Sequence, residues 1–373
     1  MKLVLQTQLL PDRAAASRLK EAVERFNEAA NWLAGVAFEH QQARTYELHK
    51  VAYRELREKF GLPADMAIRC LARVCDAYKR DKAIRVKFRR HAGVPFSMGK
   101  NIGFKGPDRV SISTLTGRVI VPFIMGKYQA ERFTLKKGQS HLVLRGDGKW
   151  FLVVSVEVPE GTVPPTTDFI GVDMGIAAIA ADSDGGLHSG GRVEAVRRKH
   201  NLQRKRLNKR NTKGAKKKIR RIGDKEARFR RHENHCISKA IVQTAERTGR
   251  GIALEELKGI RERIRARGGD CRNRLGGWAF QQLRFFLEYK ARLAGVFVVA
   301  VDPRNTSRAC SACGHCEKAN RKNQAQFSCV SCGFSANADF NAALNLRVRA
   351  LGTCKLPTEL AGDSILQPES HRL

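Results

Sequence analysis

Three things are scarce in this chain of 373 residues: long apolar runs, repetition and negative charge. No run of about 18 apolar residues occurs, so no segment reads as a membrane-spanning helix. The opening MKLVLQTQLLPDR has neither the apolar segment nor the cleavage site of a signal peptide, and a soluble intracellular protein is expected. No internal repeat is evident, so a stacked-repeat architecture is not expected. Acidic residues number 36 against 70 Lys and Arg, a formal +34. Such a surplus repels itself and favours a polyanionic partner. A membrane surface is a poor candidate because no amphipathic anchor is visible. Nucleic acid is the expected partner.

Cysteine usage points to a reducing compartment. Of ten cysteines, Cys70, Cys75, Cys236, Cys271 and Cys354 are scattered, and five cluster between Cys310 and Cys332. That distribution suits a metal site with free thiols rather than a disulfide framework.

Residues 2–10 predict a short strand, ended by Pro11-Asp12. Helical spacing follows from Asp12 to about Gln42, with Leu19, Val23, Phe26, Ala30, Leu33 and Ala37 on one face. Further helices are expected over 45–59 and from Pro63 to about Lys82. Residues 84–160 are β-branched and punctuated by Gly and Pro, including RVKFRR, RVSISTLTGRVIVPF and ERFTLKK; LVLRGDGKWFLVV predicts a hairpin about Asp147-Gly148. A small antiparallel barrel with the 11–83 helices inserted after its first strand accounts for this half, and 161–168 reads as a linker. An alternating α/β pattern then begins: a strand at FIGVD, a turn at 183–186, a returning strand, helices about 232–248 and GWAFQQLRFFLEYKARLAG, and strands IALEEL and VFVVAVD. Between them, residues 197–231 hold eighteen Lys or Arg against two acids. The tail from about 353 is expected to be loosely structured.

The most specific motif is CSAC, fifteen residues, then CVSC. Cys310, Cys313, Cys329 and Cys332 have the spacing of a four-thiolate zinc ribbon, structural because no position is left for water. Cys316 offers a competing pair with Cys313. Gly314 and Gly333 follow the second cysteine of each outer pair and permit the tight turn that brings amides to the sulfurs, so Cys316 is set aside. Three carboxylates form a second constellation. Asp173 is an acid within the apolar run FIGVDMG, a cost normally met by protonation, pairing or a metal. Glu255 ends the strand GIALE, with Glu256 an equal candidate on strand alternation. Asp339 begins a helix, which it could instead cap. Asp182 and Asp184 read as turn residues. Acids from two strand ends and a helix start can hold two divalent ions about 4 Å apart for in-line phosphodiester displacement, and magnesium prefers such oxygen ligands.

In order along the chain, these pieces resemble the TnpB family of RNA-guided nucleases from bacterial insertion sequences, relatives of type V CRISPR effectors. IGVDMG with SDG resembles the first motif of its RuvC-like domain. IALEELK resembles the second, which selects Glu255. WAFQQLRFFLEYKARLAGVFVVAVDPRNTSRACSACG and SCGFSANADFNAALNL resemble the last third, which selects Asp339. EAANWL and AYKR resemble the N-terminal region more weakly. Asn337 stands where many members have a further Asp, and Asn305 and Phe340 also depart from the pattern.

The resemblance implies a multidomain α/β-plus-barrel protein. A wedge β-barrel (1–10 and 84–166) carries a helical recognition lobe (11–83). An RNase H-like RuvC nuclease domain (167–304 and 335–352) carries the inserted zinc ribbon (305–334), and 353–373 is a disordered tail. It implies catalytic and magnesium-binding roles for Asp173, Glu255 and Asp339, with two Mg2+ and one structural Zn2+. The expected activity is guide-directed endonucleolytic cutting of double-stranded DNA beside a short flanking motif. The guide RNA would come from the flanking element, and the protein would act as a monomer at the nucleoid of a prokaryotic cytoplasm. Expected nucleic-acid contacts are Arg69, Lys79, Arg204, Lys205, Arg206, Lys209, Arg210, Lys216, Lys217, Lys218, Arg220 and Arg221. The alternatives are a guide-free transposase or junction-resolving nuclease, and an RNA-guided repressor that does not cut.

Overall fold

The computed structural model describes the chain apart from residues 42, 80, 82, 176–177, 257–279 and 355–373. The expected tail, Cys271 and the start of the GWAF helix therefore lie outside the described residues. The chain divides into two compact units, Met1–Pro159 and Glu160–Leu373. Among the described residues, no helix is long and apolar enough to cross a membrane.

In the first unit, β1 (Lys2–Leu9) leads into three helices, α1 (Arg13–Glu39), α2 (Thr45–Glu58) and α3 (Ala64–Tyr78). Asp12 caps α1 by accepting from the Ala15 amide at 2.7 Å, and the six apolar positions expected on one face are all buried. Strands β2 (Val94–Phe96), β3 (Ile102–Lys105), β4 (Arg109–Thr114), β5 (Gly117–Ile124), β6 (Lys137–Leu144) and β7 (Trp150–Glu157) complete a seven-stranded sheet. Its order is β2-β6-β7-β1-β5-β4-β3, and every named pairing is antiparallel. The two end strands are joined by the tight turn at 97–101, where Ile102 bonds back to Ser97, so the sheet curls into a nearly closed barrel. Gly148 (φ +83°) makes the turn of the β6–β7 hairpin.

Two segments expected as strand are not. RVKFRR carries no strand: Asn31 brackets Phe88, donating to its carbonyl and accepting from its amide, and Asn27 donates to the carbonyls of Arg90 and Ala92. Asparagines on α1 thus satisfy the backbone groups that a neighbouring strand otherwise would. The start of ERFTLKK belongs to the short helix α4 (Lys127–Arg132).

The second unit is built on a five-stranded sheet. Strands β8 (Phe169–Asp173), β9 (Ala178–Asp182), β10 (Leu187–Ser189), β11 (Gly251–Glu255) and β12 (Val298–Val301) lie in the order β10-β9-β8-β11-β12. β8, β11 and β12 run parallel, β9 pairs antiparallel with β8, and β10 pairs antiparallel with β9. Asp182 makes the turn by accepting from the Asp184 and Gly186 amides. Helices α5 (Gly191–Arg210) and α6 (Lys213–Thr248) form a hairpin, so the charge run is two helices, the second beginning well before 232. Helix α7 (Phe280–Ala294) packs on α6, and α8 (Ala338–Cys354) lies on β8. At that crossing Gly171 is obligatory: a Cβ there would stand 2.0 Å from the Ala343 carbonyl oxygen. Between β12 and α8 lies the ribbon, whose strands β13 (Gln326–Ser328) and β14 (Ser335–Asn337) pair antiparallel.

Candidate active site and metal centre

The parallel strands β8 and β11 end side by side, Leu254 opposite Val172, which puts Asp173 and Glu255 at the same edge of the sheet. Their carboxyl groups lie within hydrogen-bonding reach of each other. Burial first, and then the Glu255 and Asp339 charges, push Asp173 well above the usual carboxylate range. Burial and the neighbouring Asp339 raise Glu255 as well. Asp339, also raised by burial, enters from the first turn of α8. It does not cap its helix. Asn337 does, its Oδ1 accepting from the Asp339 amide at 2.9 Å and the Phe340 amide at 3.2 Å. The residue that departs from the family pattern thus leaves the Asp339 carboxylate free to face the strand ends. Glu256 is held elsewhere, by Arg284.

Sequence reasoning missed Arg321. It lies in the ribbon between the cysteine pairs, its guanidinium 3.5 Å from Asp339, and its charge opposes the upward shift of both Asp339 and Asp173. No spacing or motif distinguishes it from Lys318 or Lys322; only the folded ribbon brings it to the carboxylates. A donor set of three neighbouring acidic side chains, all oxygen, fits a hard divalent cation such as magnesium.

The thiolates of Cys310, Cys313, Cys329 and Cys332 converge with all four sulfurs within 4.8 Å of one another. Cys310 and Cys332 are 3.7 Å apart and Cys313 and Cys329 3.6 Å, matching the ~3.8 Å edge of a tetrahedron with Zn–S bonds of about 2.3 Å. The donor set and spacing fit one zinc ion. Gly314 (φ +78°) and Gly333 (φ +75°) take the left-handed turn, each amide bonding back to the first cysteine carbonyl of its pair. The Cys332 amide also points at the Cys329 sulfur and brings that thiol down to about 6. Cys316 is exposed and outside the group. The ribbon core of Cys310, Phe327 and Cys329 closes over Ala338, so the ribbon folds against the residue preceding Asp339.

Of the basic residues expected to contact nucleic acid, Lys205, Arg206, Lys209, Arg210, Lys216, Lys217, Lys218, Arg220 and Arg221 are exposed on the α5–α6 hairpin. Arg204 is turned inward onto Glu226, which also faces His200 at 3.4 Å. Arg69 bonds Ser97 at 2.6 Å, and Ser97 in turn donates to Asp65. Lys79 pairs with Asp76 at the surface.

Residues 151–258 match the OrfB_IS605 family, described as probable transposase, and 280–346 match the Cas12f1-like TNB domain. A TnpB-like protein of Methanocaldococcus jannaschii is 37% identical over 112 residues, 30% of this chain and 40% of that protein. Together these matches support a place for the chain in the TnpB family. A putative RNA-guided DNA endonuclease InsQ of Escherichia coli K12, 28% identical, aligns over 78% of this chain and 75% of its own length. A CRISPR-associated endodeoxyribonuclease Cas12f1 of Sulfoacidibacillus thermotolerans is 34% identical over 54% of this chain, which spans half of that relative. The fold is shared with the Cas12f1 chain of a cryo-EM sgRNA–target DNA complex, at TM-score 0.64 and 16% identity over 90% of this chain and 83% of that one. The Cas12f1-like TNB match takes in the cysteine module, and the OrfB_IS605 match takes in β8 to β11 of the five-stranded sheet.

Proposed function

We propose that the chain is an RNA-guided DNA endonuclease of an insertion sequence, with Asp173, Glu255 and Asp339 as its catalytic carboxylates. The observation that carries this reading is the gathering of three partly buried acids from β8, β11 and α8 at one sheet edge, close enough that the Asp339 charge raises both of the others although the first and last stand more than 160 residues apart. Two magnesium ions held there would supply an activated water and a stabilised leaving oxygen for phosphodiester displacement. The chain's own part is to hold the acids desolvated and in register. Arg321 sets a guanidinium where a phosphate oxygen would arrive. A zinc ion held by Cys310, Cys313, Cys329 and Cys332 would have a structural role, holding the ribbon from which Arg321 and the start of α8 emerge.

The guide, transcribed from the flanking element, pairs with one strand of a double-stranded target, and the protein reads a short motif beside it. The barrel (1–10 and 84–166) acts as the wedge on the guide and the 11–83 helices as the recognition lobe. The ribbon (305–334) lies within the nuclease portion (167–304 and 335–352) and contacts target nucleic acid. The exposed lysines and arginines of the α5–α6 hairpin neutralise backbone phosphates. The protein works as a monomer at the nucleoid.

The test is cleavage of a guide-matched duplex in magnesium by protein reconstituted with its guide. Asp173→Ala should bind the target as wild type does yet cut it about a thousandfold more slowly, the several kcal/mol expected of a metal-held transition-state charge. Wild-type cutting by this variant would remove the assignment.

A further inference from the structure

Glu255 and Glu256 are adjacent acids at the end of β11, and something must decide which of them faces Asp173. Strand pairing continues past Glu255, since the Glu256 amide donates to the Val301 carbonyl at 2.9 Å, so both side chains leave a regular backbone. Arg284, in the second turn of α7, reaches this point with its whole fork. Its Nη1 donates to the Glu255 carbonyl oxygen and to Glu256 Oε1, both at 3.2 Å, while its Nε donates to Glu288 Oε1 at 2.7 Å.

We propose that Arg284 is the positioning residue that turns Glu255, and not Glu256, into the carboxylate cluster; this rests on the nuclease-site reading above. One planar group grips the main-chain carbonyl of the first glutamate and the side chain of the second, which fixes the peptide between them. With Glu256 drawn to α7, Glu255 is left to meet Asp173. A lysine has no comparable fork, being a point charge on a flexible stem. The two carboxylates on Arg284 offset its charge, so the clamp brings no net positive charge beside a cation site. Outer groups of this kind orient metal ligands, and their loss typically weakens metal binding about 10- to 100-fold.

The test is Mn2+ titration of the full-length, zinc-loaded, RNA-free chain followed by electron paramagnetic resonance. Wild type, Glu255→Gln, Arg284→Met and Arg284→Lys are compared, each with a thermal melt. Wild type should show a bound-Mn2+ signal that Glu255→Gln removes. Arg284→Met should weaken it about 10- to 100-fold without a matching loss of stability, and Arg284→Lys should fall between. Wild-type Mn2+ affinity in Arg284→Met overturns the positioning role and leaves the metal site standing. A wild-type chain with no signal sensitive to Glu255→Gln overturns the metal-site reading and this inference with it. Should Arg284→Met fail to fold, Arg284→Lys decides: several-fold weaker binding supports the clamp, and unchanged binding removes it.

Discussion

Individual residues here carry roles that their neighbours in sequence do not share. Gly171 sits two positions before Asp173 in the same apolar strand, and its absent side chain lets α8 lie directly on β8. Gly171→Ala would push a methyl into the Ala343 carbonyl, backbone that cannot swing aside, and should cost about 3 kcal/mol or more in thermal or denaturant unfolding. It should also lower cleavage, since α8 carries Asp339. Asn337 and Asp339 show a division of labour two residues apart. The amide side chain takes the capping bonds, so the acid keeps its oxygens for the site. The sequence pattern pointed to Asp339 through family resemblance, but the competing capping role was excluded only by the placement of Asn337.

At the scale of elements, the zinc ribbon and α8 behave as one piece. Asn341 and Asn345 on α8 donate to the carbonyls of Thr306 and Ala309 at the ribbon's entry, and the Ser311 amide donates back to Asn341. Loss of zinc should therefore reach Asp339. Cys329→Ser, or exhaustive chelation, is expected to lower bound zinc measured by mass spectrometry and to reduce cleavage even with magnesium restored. The ribbon was legible from cysteine spacing because four thiolates and two turn glycines leave few alternatives. The arrival of Arg321 was not, because that depends on how the ribbon folds back.

Helix α5 offers a second element-scale test. Glu194, in its first turn, accepts two bonds from Arg197 and one from Arg198, and this pairing brings it from the ordinary 4.5 down to about 2. A carboxylate depressed in the folded state contributes stability that is full above about 4.5 and lost as pH falls toward 2. The melting temperature of Glu194→Gln should therefore lie below wild type at pH 7, and the gap should narrow by pH 3. A gap that does not change with pH would assign the effect to packing.

Over the whole molecule, +34 of formal charge is distributed so that some basic groups hold the fold and others face outward. Arg204 belongs to the first kind through Glu226, and Lys216, Lys217 and Lys218 to the second. Replacing the three lysines with alanine should reduce the slope of log affinity for guide RNA against log salt by about 2, at roughly 0.7 per phosphate contact, with little change in melting. Arg204→Ala should do the reverse, leaving Glu226 without its nearest cation and lowering stability more than the salt slope.

The extent of the helices in the first unit, the hairpin at Asp147-Gly148 and the four converging cysteines were readable from periodicity, turn chemistry and spacing, all of which are local. RVKFRR misled because β propensity describes a fit to a half-buried pleat, and here asparagines from a distant helix met its backbone needs first. The choice of Glu255 over Glu256, the release of Asp339 from capping and the approach of Arg321 are contacts between residues far apart in the chain. Composition and motif name the candidates for such contacts. Which of them touch is decided by strand register and helix packing, because charge and hydrogen bonding act over a few ångströms of space regardless of separation along the sequence.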